Sequence, residues 1–188
     1  MPQDTSTHTP VALLAASGCD ETHMTAVQKA LTRAQIPYVL VAPEPGLLNT
    51  WHGTSWGHYF MVDHAMGKVL GSDLDALIVL GGERGVAKLR ANPHTRRLVN
   101  HFLEAQKPLA LVADAVGLLT LSTASAGRCV AASSDAAPML EQGGLVPRTD
   151  DLMEDGVLVT STGADLESWA DSFVGCLRRT AEALSEAA

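Results

Sequence analysis

Apolar residues along this chain fall into two kinds of run. Short unbroken ones occur at Val11–Ser17 (VALLAAS), Ile36–Ala42 (IPYVLVA), Asp75–Leu80 (DALIVL) and Leu109–Val112 (LALV). Without polar alternation and at this length, such runs read as strands buried on both faces of a parallel sheet. Between them the apolar positions take a helical period. Met24, Val27 and Leu31 mark a helix over Glu21–Ala34, and Leu98, Val99, Phe102 and Leu103 mark one over Pro93–Gln106. Leu166, Trp169, Phe173, Leu177 and Leu184 form the apolar face of a closing helix, Ala164–Ala187. Ala115–Ala124 reads as a further helix, Asp135–Gln142 as a short one, and Arg128–Ala132 and Gly156–Ser161 as strands. Leu47–His58, rich in Gly, Trp and His, reads as a loop, with Tyr59–Val62 a short strand after it and Gly67–Leu70 a turn. Strands alternating with helices predict an α/β fold, a doubly wound sandwich with a mostly parallel central sheet.

Composition narrows the class. With 188 residues, 46% of them hydrophobic and 18% charged, the chain suits one globular domain. That domain is expected over residues 10–188, behind a polar leader at residues 1–9 that has no basic segment followed by an apolar one. A net charge of −8 argues against nucleic acid or an anionic membrane as partner, since both require a basic face. No apolar run reaches the length of a membrane span. Three cysteines, Cys19, Cys129 and Cys176, share no close spacing, which fits a reducing cytoplasm and neither a disulfide framework nor a cysteine metal site.

The chemistry concentrates where Leu109–Val112 breaks into a helix through Ala113-Asp114-Ala115. A turn of this kind aims one side chain at the free N–H groups of a helix N-terminus, which is where α/β folds place a nucleophile. Here the tip is Ala113, which has no reactive atom. Asp114 follows one residue on, and Gly81-Gly82 ends the preceding strand. Cys19, on the loop after the first strand, is a candidate replacement thiol, although a small half-buried core cysteine has the same appearance. His52, His58 and His64 have no HxH or HxxxH spacing, so no metal site is expected. Gly81-Gly82 lacks the phosphate-loop pattern, and no cofactor is expected. Trp51 and Trp56 suit either a ligand wall or a subunit contact, and Glu83-Arg84 a helix cap, a reach to a neighbouring subunit or a surface charge pair.

The segments VALLAASGCDETHMT, WGHYFMVD and DALIVLGGERGVAKLRANPHTRRLVNHFLEAQKPLALVADAVGLL, in this order, resemble the ThiJ/PfpI family, and GRCVAASSDAAPMLEQGG followed by DGVLVTSTG continues the order of elements. The resemblance implies a flavodoxin-like fold related to the class I glutamine amidotransferases. It also implies a cysteine at the strand-to-helix turn followed by His-Gly, a glutamate that hydrogen-bonds the thiol, and backbone N–H groups that bind the substrate oxygen. Carried onto this chain, those positions hold Ala113, Asp114, Ala115 and His23, and only Gly81-Gly82 is kept; His23, at the glutamate position, would face Asp114 as a residual acid–base couple or as a neutral pair filling an inactive site. The expectation is a cytoplasmic homodimer with a degenerate site, acting as a non-catalytic small-molecule-binding or stress-related regulatory protein. Its pocket would be lined by His23, Gly81, Gly82, Ala113, Asp114 and Ala115. The alternative is a cysteine-independent hydrolase or lyase, glyoxalase- or hydratase-like, using His23 and Asp114 or a bound metal.

Overall fold

A computed structural model describes residues 11–186 of the chain. The leader expected at residues 1–9 lies outside the described residues. In chain order the first half comprises β1 (Val11–Leu14), α1 (Glu21–Arg33), β2 (Tyr38–Ala42), β3 (Gly46–His52), β4 (Ser55–Val62), β5 (His64–Ala65) and β6 (Ala76–Val79). The second half comprises α2 (Glu83–Ala91), α3 (Pro93–Glu104), β7 (Leu109–Val112), a 3₁₀ helix (Ala113–Leu121), β8 (Cys129–Ala131), α4 (Ala137–Gln142), β9 (Val146–Arg148), β10 (Leu152–Asp155), β11 (Leu158–Ser161) and α5 (Leu166–Glu186).

Seven strands form the main sheet in the order β10-β11-β7-β6-β1-β2-β5. Every pairing in it is parallel except β10 with β11. The four unbroken apolar runs of the sequence lie at its centre, and the pleat divides their side chains between two cores. Leu13, Ile78 and Ala110 face α1 and α5, where they meet Met24, Val27, Trp169 and Phe173. Ala12, Leu14, Leu77 and Leu111 face the other side, against Val86, Leu89, Leu98, Phe102 and Leu119. A strand with no polar residue is needed here because both of its faces are covered. Each large aliphatic side chain so buried contributes about 1.5–3 kcal/mol relative to exposure.

The structure departs from the sequence reading at three places. Residues 47–58 are not a loop: β3 and β4 form a two-stranded antiparallel hairpin that turns through Gly53 (φ 60) and Thr54. Its aromatic and polar residues alternate irregularly because the register shifts between Asn49 and Trp51, which hides the strand period. The Arg128–Ala132 segment does contain a strand, but β8 pairs with β9 in a separate two-stranded sheet outside the main one. After β7 the chain winds as a 3₁₀ helix from Ala113 instead of an α-helix from Ala115.

Candidate functional site

β1 has neighbours β2 and β6 on opposite sides, so the connections reverse direction between β1 and β6. In open α/β sheets the crevice at the carboxyl ends of such strands is where ligands bind. The loops leaving β1, β6 and β7 meet there. Ala113, the first residue past β7, has φ 52. The left-handed region costs a residue with a Cβ about 1–2 kcal/mol, so the surrounding chain imposes this conformation on an alanine that does not favour it. A side chain on Gly163 would sit 3.5 Å from the Ala113 Cβ, so the tip of the elbow faces the loop after β11.

Asp114 turns back from the elbow, and its Oδ1 accepts the Gly82 N–H at 2.7 Å. Gly82 is the residue before α2, it has φ 119, and a Cβ on it would lie 2.4 Å from the Asp20 backbone nitrogen. Only glycine fits such a position. Gly81 is equally enclosed: a Cβ there would come within 2.7 Å of Asp114 Oδ1 and of the Val112 carbonyl, and 3.0 Å from His23 Cε1. His23 projects from the first turn of α1, is 7% exposed, and has no hydrogen-bond partner at Nδ1. Burial pushes its pKa below the ordinary 6.5, against a weaker upward pull from Asp20, the Gly81 backbone and Asp114. No hydrogen bond joins His23 to Asp114 among the described residues, because the Asp114 carboxylate is turned to Gly82. The structure therefore gathers His23, Gly81, Gly82, Ala113 and Asp114 around one point. Ala115 is fully buried behind them, in the core.

Cys19 lies beside the same corner but turns away from it. Its backbone packs against Gly82 and Gly85, and the residue is completely buried in the apolar core below. Burial, then the charge of Asp20, pushes the thiol up to about 12. Since the thiolate is the nucleophilic form, such a group is inert at neutral pH.

One residue of this region has no place in the sequence reading. Glu21, two positions before His23 and buried, points the other way, into the hairpin. Its Oε2 accepts from the Thr50 hydroxyl at 2.5 Å and the His58 N–H at 2.7 Å, and its Oε1 lies 2.9 Å from His58 Nδ1. The Thr50 hydroxyl first, then the backbone and ring of His58, hold the carboxyl down at about 2. Gly57 makes room for it, since a Cβ there would lie 2.0 Å from Oε2. The partners sit 29 and 37 residues downstream, so no local pattern announces them. Two backbone hydrogen bonds, Gly18 to Asn49 and Trp51 to Cys19, both 2.8 Å, complete the docking of the hairpin onto the loop after β1. Arg84 joins the same assembly: its guanidinium lies 4.2 Å over the Trp51 ring, so it is neither a helix cap nor half of a surface pair with Glu83.

Away from the elbow, an open cleft of about 500 Å³ runs past the ends of β1 and β2, between Pro43, Leu47 and Leu48 on one side and Lys88 and Asn92 on the other. Among the described residues no three His, Cys, Asp or Glu side chains are grouped to hold a metal ion. No helix among them is long and apolar enough to cross a membrane.

A mostly parallel sheet in this strand order, covered by helices on both faces, places the chain in the flavodoxin-like α/β class. Its sequence matches the DJ-1/PfpI family over residues 9–175, and the chain belongs to that family. Solved structures agree on the fold. The ThiJ/PfpI domain protein of Brachyspira murdochii superposes with a TM-score of 0.80 at 19% identity, covering 90% of this chain and 95% of that one. Schizosaccharomyces pombe DJ-1 gives 0.77 at 18%, covering 94% and 98%. A two-domain protein of Anabaena variabilis with DJ-1/ThiJ/PfpI-like and ferritin-like domains gives 0.79 at 21%; the match takes in 90% of this chain but 48% of that longer one. Among curated proteins no sequence match was found.

Proposed function

We propose that this chain is a DJ-1/PfpI-family protein without cysteine-dependent catalysis. In this reading it is a cytoplasmic, non-catalytic small-molecule-binding or stress-related regulatory protein. The observation that carries the reading is Ala113 at φ 52: the elbow that would aim a nucleophile keeps its shape, while the side chain on it has no atom able to form a covalent intermediate. The inert Cys19 and the absence of a hydrogen bond between His23 and Asp114 support it further, since neither a thiolate nor a hydrogen-bonded acid–base couple stands at the tip among the described residues. The chain acts as a homodimer in this reading, with Leu47, Trp56, Tyr59 and Met61, each more than half exposed on the hairpin, as the contact surface.

Methylglyoxal consumption by the purified protein, beside a cysteine-containing relative, tests the proposal. No turnover is expected, and little from Ala113→Cys, because that thiol would find neither a glutamate at position 23 nor a free Gly82 N–H. Turnover near that of the control would overturn it. If that turnover disappeared in His23→Ala, a cysteine-independent enzyme would take its place.

A further inference from the structure

The open cleft of about 500 Å³ past the ends of β1 and β2 is lined by none of the residues gathered at the elbow. Its volume falls within the range of about 300–1,000 Å³ usual for sites that take small organic molecules. Its walls are fixed. Pro43, Pro45 and Pro93 have ring-locked backbones, and Leu48 and Val62 are anchored in the core. On the hairpin side, Asn49 donates its N–H to Ser17 Oγ at 3.3 Å and accepts the Gly18 N–H at 2.8 Å. On the far side, Asn92 Oδ1 accepts the His94 N–H at 3.0 Å and caps α3. Walls tied in this way hold their shape without an occupant, so little ordering is lost when one enters.

The polar lining offers more donors than acceptors. Ser17 Oγ and Asn92 Oδ1 already accept, which leaves the Ser17 O–H and the Asn92 amide hydrogens to donate. Lys88 has no hydrogen bond or ion pair among the described residues. Arg84, Lys88 and Ala91 share one stripe of α2, and Arg84 on that stripe lies over Trp51 of the hairpin. Val86 and Leu89 are buried on the opposite stripe, so the Arg84 side of the helix is the one that turns Lys88 and Ala91 to the cleft. Residues 84–97 hold five of the thirteen lysines and arginines and no acid, in a chain of net charge −8. Arg97 is spent on the Met66 and Val69 carbonyls, and among the lining residues Lys88 is the cation. The lining sets a single acid against it, Glu44.

We propose that this cleft is a binding site for a small organic monocarboxylate with an apolar body, its carboxylate at Lys88 and its body against the prolines, Leu48 and Val62. The site is separate from the elbow and does not depend on whether the elbow is catalytic. No covalent step is involved.

Amide spectra of the full-length, ¹⁵N-labelled protein test it, with sodium phenylacetate as probe and sodium chloride at equal ionic strength as control. Saturable shifts are expected at Ser17, Leu48, Val62 and Lys88, and none at Gly82 or Asp114. Benzyl alcohol and 2-phenylethylamine carry the same ring without charge and with the opposite charge. Both should bind about two- to fivefold more weakly, the range expected of one exposed ion pair. Lys88→Met should bring phenylacetate down to the level of benzyl alcohol and leave benzyl alcohol unchanged. Ala91→Phe, at the exposed end of α2, should narrow the mouth and weaken all three. The proposal is overturned if phenylacetate does not saturate, if its shifts gather at the elbow, if the amine binds as tightly as the acid, or if Lys88→Met leaves their order intact. None of these results bears on the non-catalytic reading, which turnover decides separately.

Discussion

Glu21 and His23 sit two residues apart on the first turn of α1, both buried and both titrating below their ordinary range, for opposite reasons. Glu21 is low because its charged form is welcome: the Thr50 hydroxyl, the His58 N–H and the His58 ring converge on it. His23 is low because its charged form is not: burial outweighs every favourable contact, and Nδ1 meets no partner. A saturated carboxylate of the first kind is a fastening, here of the β3–β4 hairpin onto the body of the protein. An unsatisfied group of the second kind is a cost the fold carries. Direction of shift alone does not separate the two; the partner inventory does.

Removing the fastening gives the largest expected change. Glu21→Gln places an amide among donors that need an acceptor, so unfolding at neutral pH should occur at distinctly lower urea. The acid limb should alter as well. The folded carboxyl titrates at about 2 instead of 4.5, so its contribution is complete above 4.5 and is lost as pH falls from there towards 2. Urea midpoints measured across that window should fall less steeply for Glu21→Gln than for the native chain. Equal slopes would mean that Glu21 is not the saturated carboxylate described.

A smaller effect is expected at His23. Below pH 6.5 the unfolded chain takes up a proton that the folded imidazole resists, so the native protein loses stability as pH drops through this range. His23→Gln removes that loss, and the stability profile just below 6.5 should flatten. If the native histidine instead titrated at or above 6.5 by NMR, the contrast with Glu21 would collapse. Smallest of all is Ala113→Gly. Relief of the left-handed backbone, about 1–2 kcal/mol, is offset by the roughly 0.5–1 kcal/mol entropic cost of glycine, for a modest net gain in stability. A net loss in urea unfolding would show that the elbow is not strained.

The sequence exposes the central sheet because its buried strands have no polar residue to disguise them. Leu109–Val112 matches β7 residue for residue, and the 3.6-residue periods locate α1, α3 and α5 within a few residues. The hairpin escapes because its register shift breaks the two-residue alternation that identifies strands. Cys129 and its neighbours reveal a strand but not that it leaves the main sheet, since pairing is a long-range choice. At the site, the convergence of His23, Gly82, Ala113 and Asp114 is anticipated from chain order and family resemblance. Which atom Asp114 bonds, and that Glu21 is spoken for by Thr50 and His58, depends on loop geometry with no local signature.

The pairing of Trp51 with Trp56 gives the hairpin an optical identity of its own. Their rings lie 5.4 Å apart at 85°, with the Arg84 guanidinium above the first, while Trp169, the third tryptophan of the chain, is wholly enclosed between α5 and the sheet. Two indoles so close and so fixed couple their electronic transitions, and circular dichroism in the near ultraviolet records that coupling only while both strands stay paired. Trp169 reports by contrast through blue-shifted emission that persists until the core itself opens. Detachment of the hairpin and melting of the sheet thus carry different colours, and one sample followed by two spectroscopies would show in which order they happen.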